Sequence, residues 1–284
     1  MHQPSQIERA KAFTALHKSN ELFVLPNAWD GGSAKIFQAQ GFKAVATTSA
    51  GIAYSMGYAD GEVVSFADLH RVTKEMVKRL SVPLSVDMEL GYGDSSEAII
   101  HNVRQIIEAG AVGINIEDGH PADDLSHSQP FLEEQSNRTE LIKALTQLKK
   151  EMGIPFIINA RTCAMWLHVG PEEKRLQLAM ARCKAYAEAG ADCVFVPGAL
   201  SVEEVHTLVN CVDIPVNIIA NPLCNDFEVL NKLGVRRLSI GSGAVRAVYA
   251  KLMGIAKELD EDKSIKSLLE SNLSYAQANQ FFGK

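Results

Sequence analysis

One punctuation recurs along the 284-residue chain: a helix-periodic stretch ends at a glycine, an apolar residue usually follows, and a short β-branched run comes next. It occurs at Gln40-Gly41-Phe42, Ala109-Gly110-Ala111, Met152-Gly153-Ile154, Ala189-Gly190-Ala191 and Leu233-Gly234-Val235. Glycine enters the left-handed region without a Cβ penalty, so each site reads as a helix stop that feeds a strand. Apolar runs supply eight strand candidates, at 22–26, 44–48, 84–88, 113–116, 156–159, 193–196, 216–219 and 238–240. Helical patterns lie between them, at 66–80, 95–109, 138–152, 171–189, 202–209, 225–233 and 244–259. Strands that are apolar throughout are buried on both faces, and strict alternation with helices demands parallel pairing with right-handed crossovers. Eight such units in about 250 residues predict an α/β fold of the (β/α)8 TIM-barrel type. The alternative is an open doubly wound sheet, which should show a GxGxxG turn after its first strand. The chain has Pro26-Asn27-Ala28-Trp29-Asp30 there instead.

No linker rich in Pro, Ser or Gly divides the chain, so a single domain over 1–284 is expected, with the barrel proper at about 20–259. An extra helix at 5–18 precedes it and a helical tail at 260–284 follows. Ile265, Leu268, Leu269 and Leu273 give that tail an apolar face needing cover, from its own barrel or from a second subunit.

Net charge is −6, with Lys and Arg scattered among acids, which leaves no footprint for nucleic acid or an anionic membrane. A small-molecule partner is the expectation. The five cysteines are odd in number and show no CxxC spacing, which suits a reduced, cytoplasmic protein. The first twenty residues carry no apolar leader core, and no run approaches about 18 consecutive apolar residues.

Barrel chemistry gathers at the C-terminal ends of strands, and those ends are acidic here. Asp87 and Glu89 follow the third strand, Glu117-Asp118-Gly119-His120 the fourth, and Asn159-Ala160-Arg161-Thr162 the fifth. Asp87 and Glu89 share a face if the strand persists, and Glu117 can join them from the next strand. Clustered carboxylates need a cation or a shared proton, and an oxygen-only set favours a hard ion, Mg2+ with Mn2+ as a substitute. The plainer reading is three solvated acids at strand ends. Arg161 suits a substrate carboxylate, which its planar fork grips with two bonds, or else pairs with one of those acids. His120 and His127 could pass a proton, or simply be solvated loop residues.

Read together, Pro26-Asn27-Ala28-Trp29-Asp30, Thr47-Thr48-Ser49-Ala50-Gly51, Gly57-Tyr58-Ala59-Asp60-Gly61, Asp87-Met88-Glu89-Leu90-Gly91-Tyr92-Gly93, Asn115-Ile116-Glu117-Asp118-Gly119, Asn159-Ala160-Arg161-Thr162 and Phe195-Val196-Pro197-Gly198 resemble the isocitrate lyase/phosphoenolpyruvate mutase (phosphonomutase) superfamily. The resemblance spans about 20–250 in family order. It implies a barrel with Mg2+ held, largely through water, by Asp87, Glu89 and Glu117. A 2-oxo acid or dicarboxylate would be gripped by amides of Ser49-Ala50-Gly51 and by Arg161, with Asp60 near the reacting carbons; beside this, the residues themselves offer Asn159 at a strand end as a further substrate contact and His120 as a candidate proton donor. Family members make or break C–C or P–C bonds through an enolpyruvate-like intermediate, and many are tetramers that exchange the last helix between subunits.

Departures from the family narrow the choice. The loop after the fourth strand lacks the lyase cysteine, and no Lys or Arg occurs between Asp118 and Asn137 to clamp a phosphoryl group. Cys163 stands where family members usually carry Asp, which removes one contact to the metal waters. Three functions therefore compete: a Mg2+-dependent lyase or decarboxylase of the oxaloacetate type, phosphonopyruvate P–C chemistry, and a barrel that binds carboxylates without turnover. Decarboxylation fits the missing cysteine, because CO2 leaves without a proton. Gly241-Ser242-Gly243 imitates a barrel phosphate site but reads as a tight turn. Trp166, Leu167 and His168 either line the pocket or cap the barrel.

Overall fold

The computed structural model describes residues 4–122, 128–270 and 273–283. All eight expected strands form: β1 (Phe23–Leu25 and Asn27–Ala28), β2 (Val45–Thr47), β3 (Leu84–Asp87), β4 (Gly113–Glu117), β5 (Ile157–Arg161), β6 (Cys193–Val196), β7 (Val216–Ile219) and β8 (Arg237–Ser239). Every neighbouring pair is parallel. Pro26 divides β1, since it has no N–H to give a ladder. The first half pairs with β8 (Phe23 opposite Arg237) and the second with β2 (Asn27 opposite Ala46), so the sheet closes on itself. The chain is a (β/α)8 barrel.

The five helix-stop glycines, Gly41, Gly110, Gly153, Gly190 and Gly234, all take positive φ, between 65° and 106°. Helix Gly31–Ala39 runs up to the expected stop at Gly41, whereas helix Ser49–Ser55 was absent from the sequence pattern. Strand residues facing outward, such as Val45, Val86, Ile114 and Ile116, pack with Leu69, Val103 and Leu145 of the surrounding helices. A second cluster built on Val194, Val196, Ile218 and Leu238 does the same for the other half of the barrel.

The helix Gln6–Lys18 opens on a Ser5/Glu8 capping box and closes the N-terminal end of the barrel. Its Phe13 clusters with Leu25, Ala44, Ala46 and Ile157. Gly113 admits that ring, which would lie 2.7 Å from any Cβ there. His17 is buried beside Phe13 and Phe23, donating Nδ1–H to the Phe13 carbonyl at 2.9 Å. With this end closed, the strand C-termini form the open mouth.

The chain falls into two compact units, Met1–Gly241 and Ser242–Lys284. The second comprises Gly243–Lys257, a π-helical turn at Glu258–Asp262, and the helices Lys266–Leu269 and Tyr275–Phe282. Ile265, Leu268, Leu269 and Leu273 are all exposed. No helix among the described residues is long and apolar enough to cross a membrane.

Candidate active site

Asp87 ends β3, its own N–H donating to Thr47 Oγ1 at 2.8 Å. Its carboxylate takes amide donors: Asn115 Nδ2 at 2.8 Å, the Ser49 N–H at 3.4 Å and the Glu89 N–H at 3.5 Å. Asn115 is in turn held by Asn159 Nδ2 at 2.9 Å. Asn159, expected on substrate, therefore orients the residue that orients Asp87.

Glu89 follows in the left-handed region, as do Glu62 and Tyr92, three of the five non-glycine residues with positive φ among those described. Such backbone persists where surrounding bonds enforce it, and it clusters at functional sites. Those bonds are visible. Tyr92 Oη donates to Glu89 Oε1 at 2.5 Å, the Glu62 N–H donates to Glu89 Oε2 at 2.9 Å, and Glu62 Oε1 accepts from Gly91 and Tyr92 N–H at 3.0 Å each. Burial, then the Asp87 charge, pushes the Glu89 carboxyl up to about 8.

Glu117 ends β4 in register with Arg161 of β5, and its Oε2 meets Arg161 Nη1 at 2.6 Å. Burial pushes its carboxyl up to about 7 although Arg161 pulls the other way. The Cys163 thiol donates to the same oxygen at 3.5 Å. Asp60 is exposed on its loop yet faces this crowded mouth. Desolvation, then Asp87, pushes its carboxyl up, while the Ser49 hydroxyl and Arg161 draw it back. Asp60, Asp87, Glu89, Glu117 and Arg161 thus share one electrostatic field.

Among the described residues, no three His, Cys, Asp or Glu side chains are close enough to ligate one metal ion. Glu89 is turned to Tyr92 and Glu62, and Glu117 to Arg161, while Asp87 meets only neutral amides. This arrangement suits a hydrated hard cation with few direct protein ligands better than a closed cage. Of the three amides expected to grip a substrate, Ser49 N–H is on Asp87 and Gly51 N–H on Thr48 Oγ1 at 3.3 Å. Arg161 takes the acid-paired alternative, with its Nε buried and without a partner.

The segment after β4 forms a small antiparallel ribbon, Gly119–His120 against Phe131–Leu132. His120 Nε2 lies 2.8 Å from Glu133 Oε1. His127 lies outside the described residues. Asp118 is buried, with its carboxylate accepting Tyr186 Oη at 2.6 Å, Arg182 Nη1 at 3.1 Å and the Cys163 N–H at 2.8 Å. Gly119 has no room for a side chain, since a Cβ would sit 2.3 Å from that of Cys163 and 2.8 Å from Leu167 Cδ1. Leu167 therefore packs under the ribbon, whereas Trp166 is exposed and His168 contacts Arg175. Gly241 is a tight turn at φ 54°, its N–H on Asn27 Oδ1.

Glu62, Tyr92, Asn115, Glu133 and Arg182 were not assigned from the sequence. Tyr92 and Asn115 stood inside quoted motifs, but nothing in the spacing marks Glu62, Glu133 or Arg182.

A parallel barrel with acids and one arginine at its mouth defines a class of small-molecule enzymes, and sequence comparison narrows it. The chain belongs to the phosphoenolpyruvate phosphomutase family, whose profile matches residues 13–260, within the isocitrate lyase/phosphoenolpyruvate mutase superfamily of lyases and mutases. An uncharacterised protein of Mycobacterium tuberculosis is 34% identical over 238 residues, covering 81% of this chain and 82% of its own. The 2-methylisocitrate lyase of Bacillus subtilis is 30% identical over 202 residues, or 71% of this chain and 63% of that one. A putative lyase/mutase from Burkholderia cenocepacia superposes with a TM-score of 0.89 at 30% identity, covering 98% and 97% of the two chains.

Proposed function

We propose that the chain is a Mg2+-dependent carbon–carbon lyase, with Mn2+ as a substitute, that acts on a small 2-oxo acid through an enolpyruvate-like intermediate. Decarboxylation or cleavage of an oxaloacetate-type substrate is its simplest form. The observation that carries this reading is Arg161, a guanidinium at the mouth with one nitrogen on Glu117 and a buried Nε still without an acceptor. A substrate carboxylate or carbonyl oxygen supplies that acceptor. The 30% identity to a 2-methylisocitrate lyase supports C–C chemistry, and the absence of Lys and Arg between Asp118 and Asn137 disfavours phosphoryl handling.

Oxygen donors alone suit a hard divalent ion, which Asp87, Glu89 and Glu117 would hold, largely through water. When bound, that ion polarises the carbonyl and balances charge that develops on the enolate. The remaining work falls to side chains. Arg161 orients the substrate carboxylate and strengthens its hold as charge builds on the adjacent oxygen. Asp60, its carboxyl pushed up by burial and then by Asp87, shares a hydrogen bond with Ser49 beside the reacting carbons.

The test is pyruvate release, coupled to lactate dehydrogenase, from protein with Mg2+ and either oxaloacetate or phosphonopyruvate. Free Mg2+ decarboxylates oxaloacetate unaided, so the Asp87→Ala protein is the blank. We expect release from oxaloacetate at least about 100-fold above that blank. Equal rates in the two proteins would remove the metal assignment, and pyruvate from phosphonopyruvate alone would move the chain to P–C chemistry.

A further inference from the structure

Cleavage to an enolpyruvate leaves a carbon that must regain a proton, and the loop cysteine that does this in related lyases is absent. We propose that His120 supplies that proton and that Glu133 is its positioning residue, an assignment that rests on the lyase reading above.

An ordinary loop histidine is mobile and solvated, whereas His120 is half-buried and engaged by two neighbours. Its ring stacks on Phe131 with centroids 4.5 Å apart and planes 5° from parallel. One ring nitrogen, Nε2, is fixed on Glu133 Oε1 at 2.8 Å. The two residues lie on opposite strands of the ribbon, whose pairing of Gly119 with Leu132 and His120 with Phe131 sets their register. Glu133 is itself anchored: its N–H donates to the Asp118 carbonyl at 2.7 Å and its carbonyl accepts from Arg182 Nη2 at 2.8 Å. Asp118 and Arg182 meet within the barrel wall, so the ribbon is tied to the scaffold at its base. A histidine held on one nitrogen by a carboxylate has its orientation and tautomer set, which leaves the other nitrogen for proton transfer.

The location fits the task. His120 and Glu133 line a cleft of about 510 Å3 together with Glu62, Leu90, Asp94 and Arg138. None of the acids at the mouth lines this cleft; it is tied to them through Glu62, whose N–H holds Glu89, and through the backbone that runs from Glu117 to His120.

The substrate is of the oxaloacetate type, with its carbonyl at C2 and the departing carboxylate at C4. The C3–C4 electron pair moves into C2–C3 as C4 departs in CO2, and the carbonyl oxygen takes the negative charge. His120, protonated, gives Nδ1–H to C3 as the carbonyl re-forms, and the neutral ring regains its proton from water. Glu133 accepts Nε2–H throughout and changes no bond.

Protonation by a fixed group comes from one face of the enolate, whereas protonation by solvent comes from both. Turnover of 3-methyloxaloacetate with Mg2+ in D2O, with the 2-oxobutanoate reduced as it forms, places one deuterium at C3, which proton NMR assigns to a face. Wild type is expected to label one face. His120→Gln and Glu133→Gln are expected to label both about equally, with kcat lower by about 10- to 100-fold and KM within about twofold. The two variants are read separately, so one that fails to fold leaves the other decisive. Labelling of a single face by either folded variant, or of both faces by wild type, overturns this proposal and leaves the lyase reading intact. No turnover by wild type with any 2-oxo acid overturns the lyase reading and this proposal with it.

Discussion

Asp118 sits next to Glu117 in sequence and does something different. Its carboxylate is buried under three donors, two from the helix Glu172–Glu188 and one from the segment after β5. Removing one partner of a buried ion pair leaves the other charged and desolvated, typically at about 3–5 kcal/mol. Asp118→Ala is expected to lose stability in that range in urea melts, and adding Arg182→Met is expected to recover part of it. Equal stability of Asp118→Ala and wild type would show the network to be idle. The sequence made Asp87, Glu89, Glu117 and Arg161 legible because barrel topology assigns chemistry to strand ends, whatever packs around them. It left Glu62, Glu133 and Arg182 unread, since they act by folding back from loops or reaching in from a helix, and no spacing rule relates them to their partners. Asn159, expected on substrate, has a duty the sequence did not suggest: its Nδ2 holds Asn115, while its buried Oδ1 has no partner.

The eight strands were readable because each is a short apolar run following a helix stop, and their observed limits fall within a residue or two of the expected ones. One helix escaped, since Ser49–Ser55 is too short for an apolar periodicity to repeat, and Gly31–Ala39 announced its end at Gly41 but not its start, because it opens with two glycines. The first helix was visible as a pattern, but its role as a stopper was not, because its polar face and scattered apolar residues name no target. That role has a pH signature. Unfolded, His17 titrates near 6.5; folded, burial and then the Arg237 charge hold it down to about 3. Between those values the unfolded chain binds one more proton, so stability is lost as pH falls through the window, by up to about 1.4 kcal/mol per pH unit. His17→Leu is expected to flatten this acid limb, read as a smaller gap between urea midpoints measured at about pH 4.5 and pH 6.5. An unchanged gap would place the acid sensitivity elsewhere.

At the scale of the molecule, the unit Ser242–Lys284 displays Leu252, Met253, Leu269 and Tyr275, each more than half exposed. Large apolar side chains in such numbers mark a surface meant for cover. We expect that cover to be a second copy of the chain, with sedimentation equilibrium giving at least twice the chain mass and Met253→Glu with Leu269→Glu shifting it to the monomer. A wild-type monomer would reject this. The divided first strand has a consequence for synthesis. Phe23–Leu25 waits for Arg237–Ser239, a partner near the other end of the chain, so a growing polypeptide cannot seal its barrel until β8 has left the ribosome. Until then the nascent sheet carries an open edge with unpaired backbone groups, the template on which chains add to one another. Slow translation through the last third of the message would lengthen that exposure, and the proline that splits the strand shortens the edge on offer.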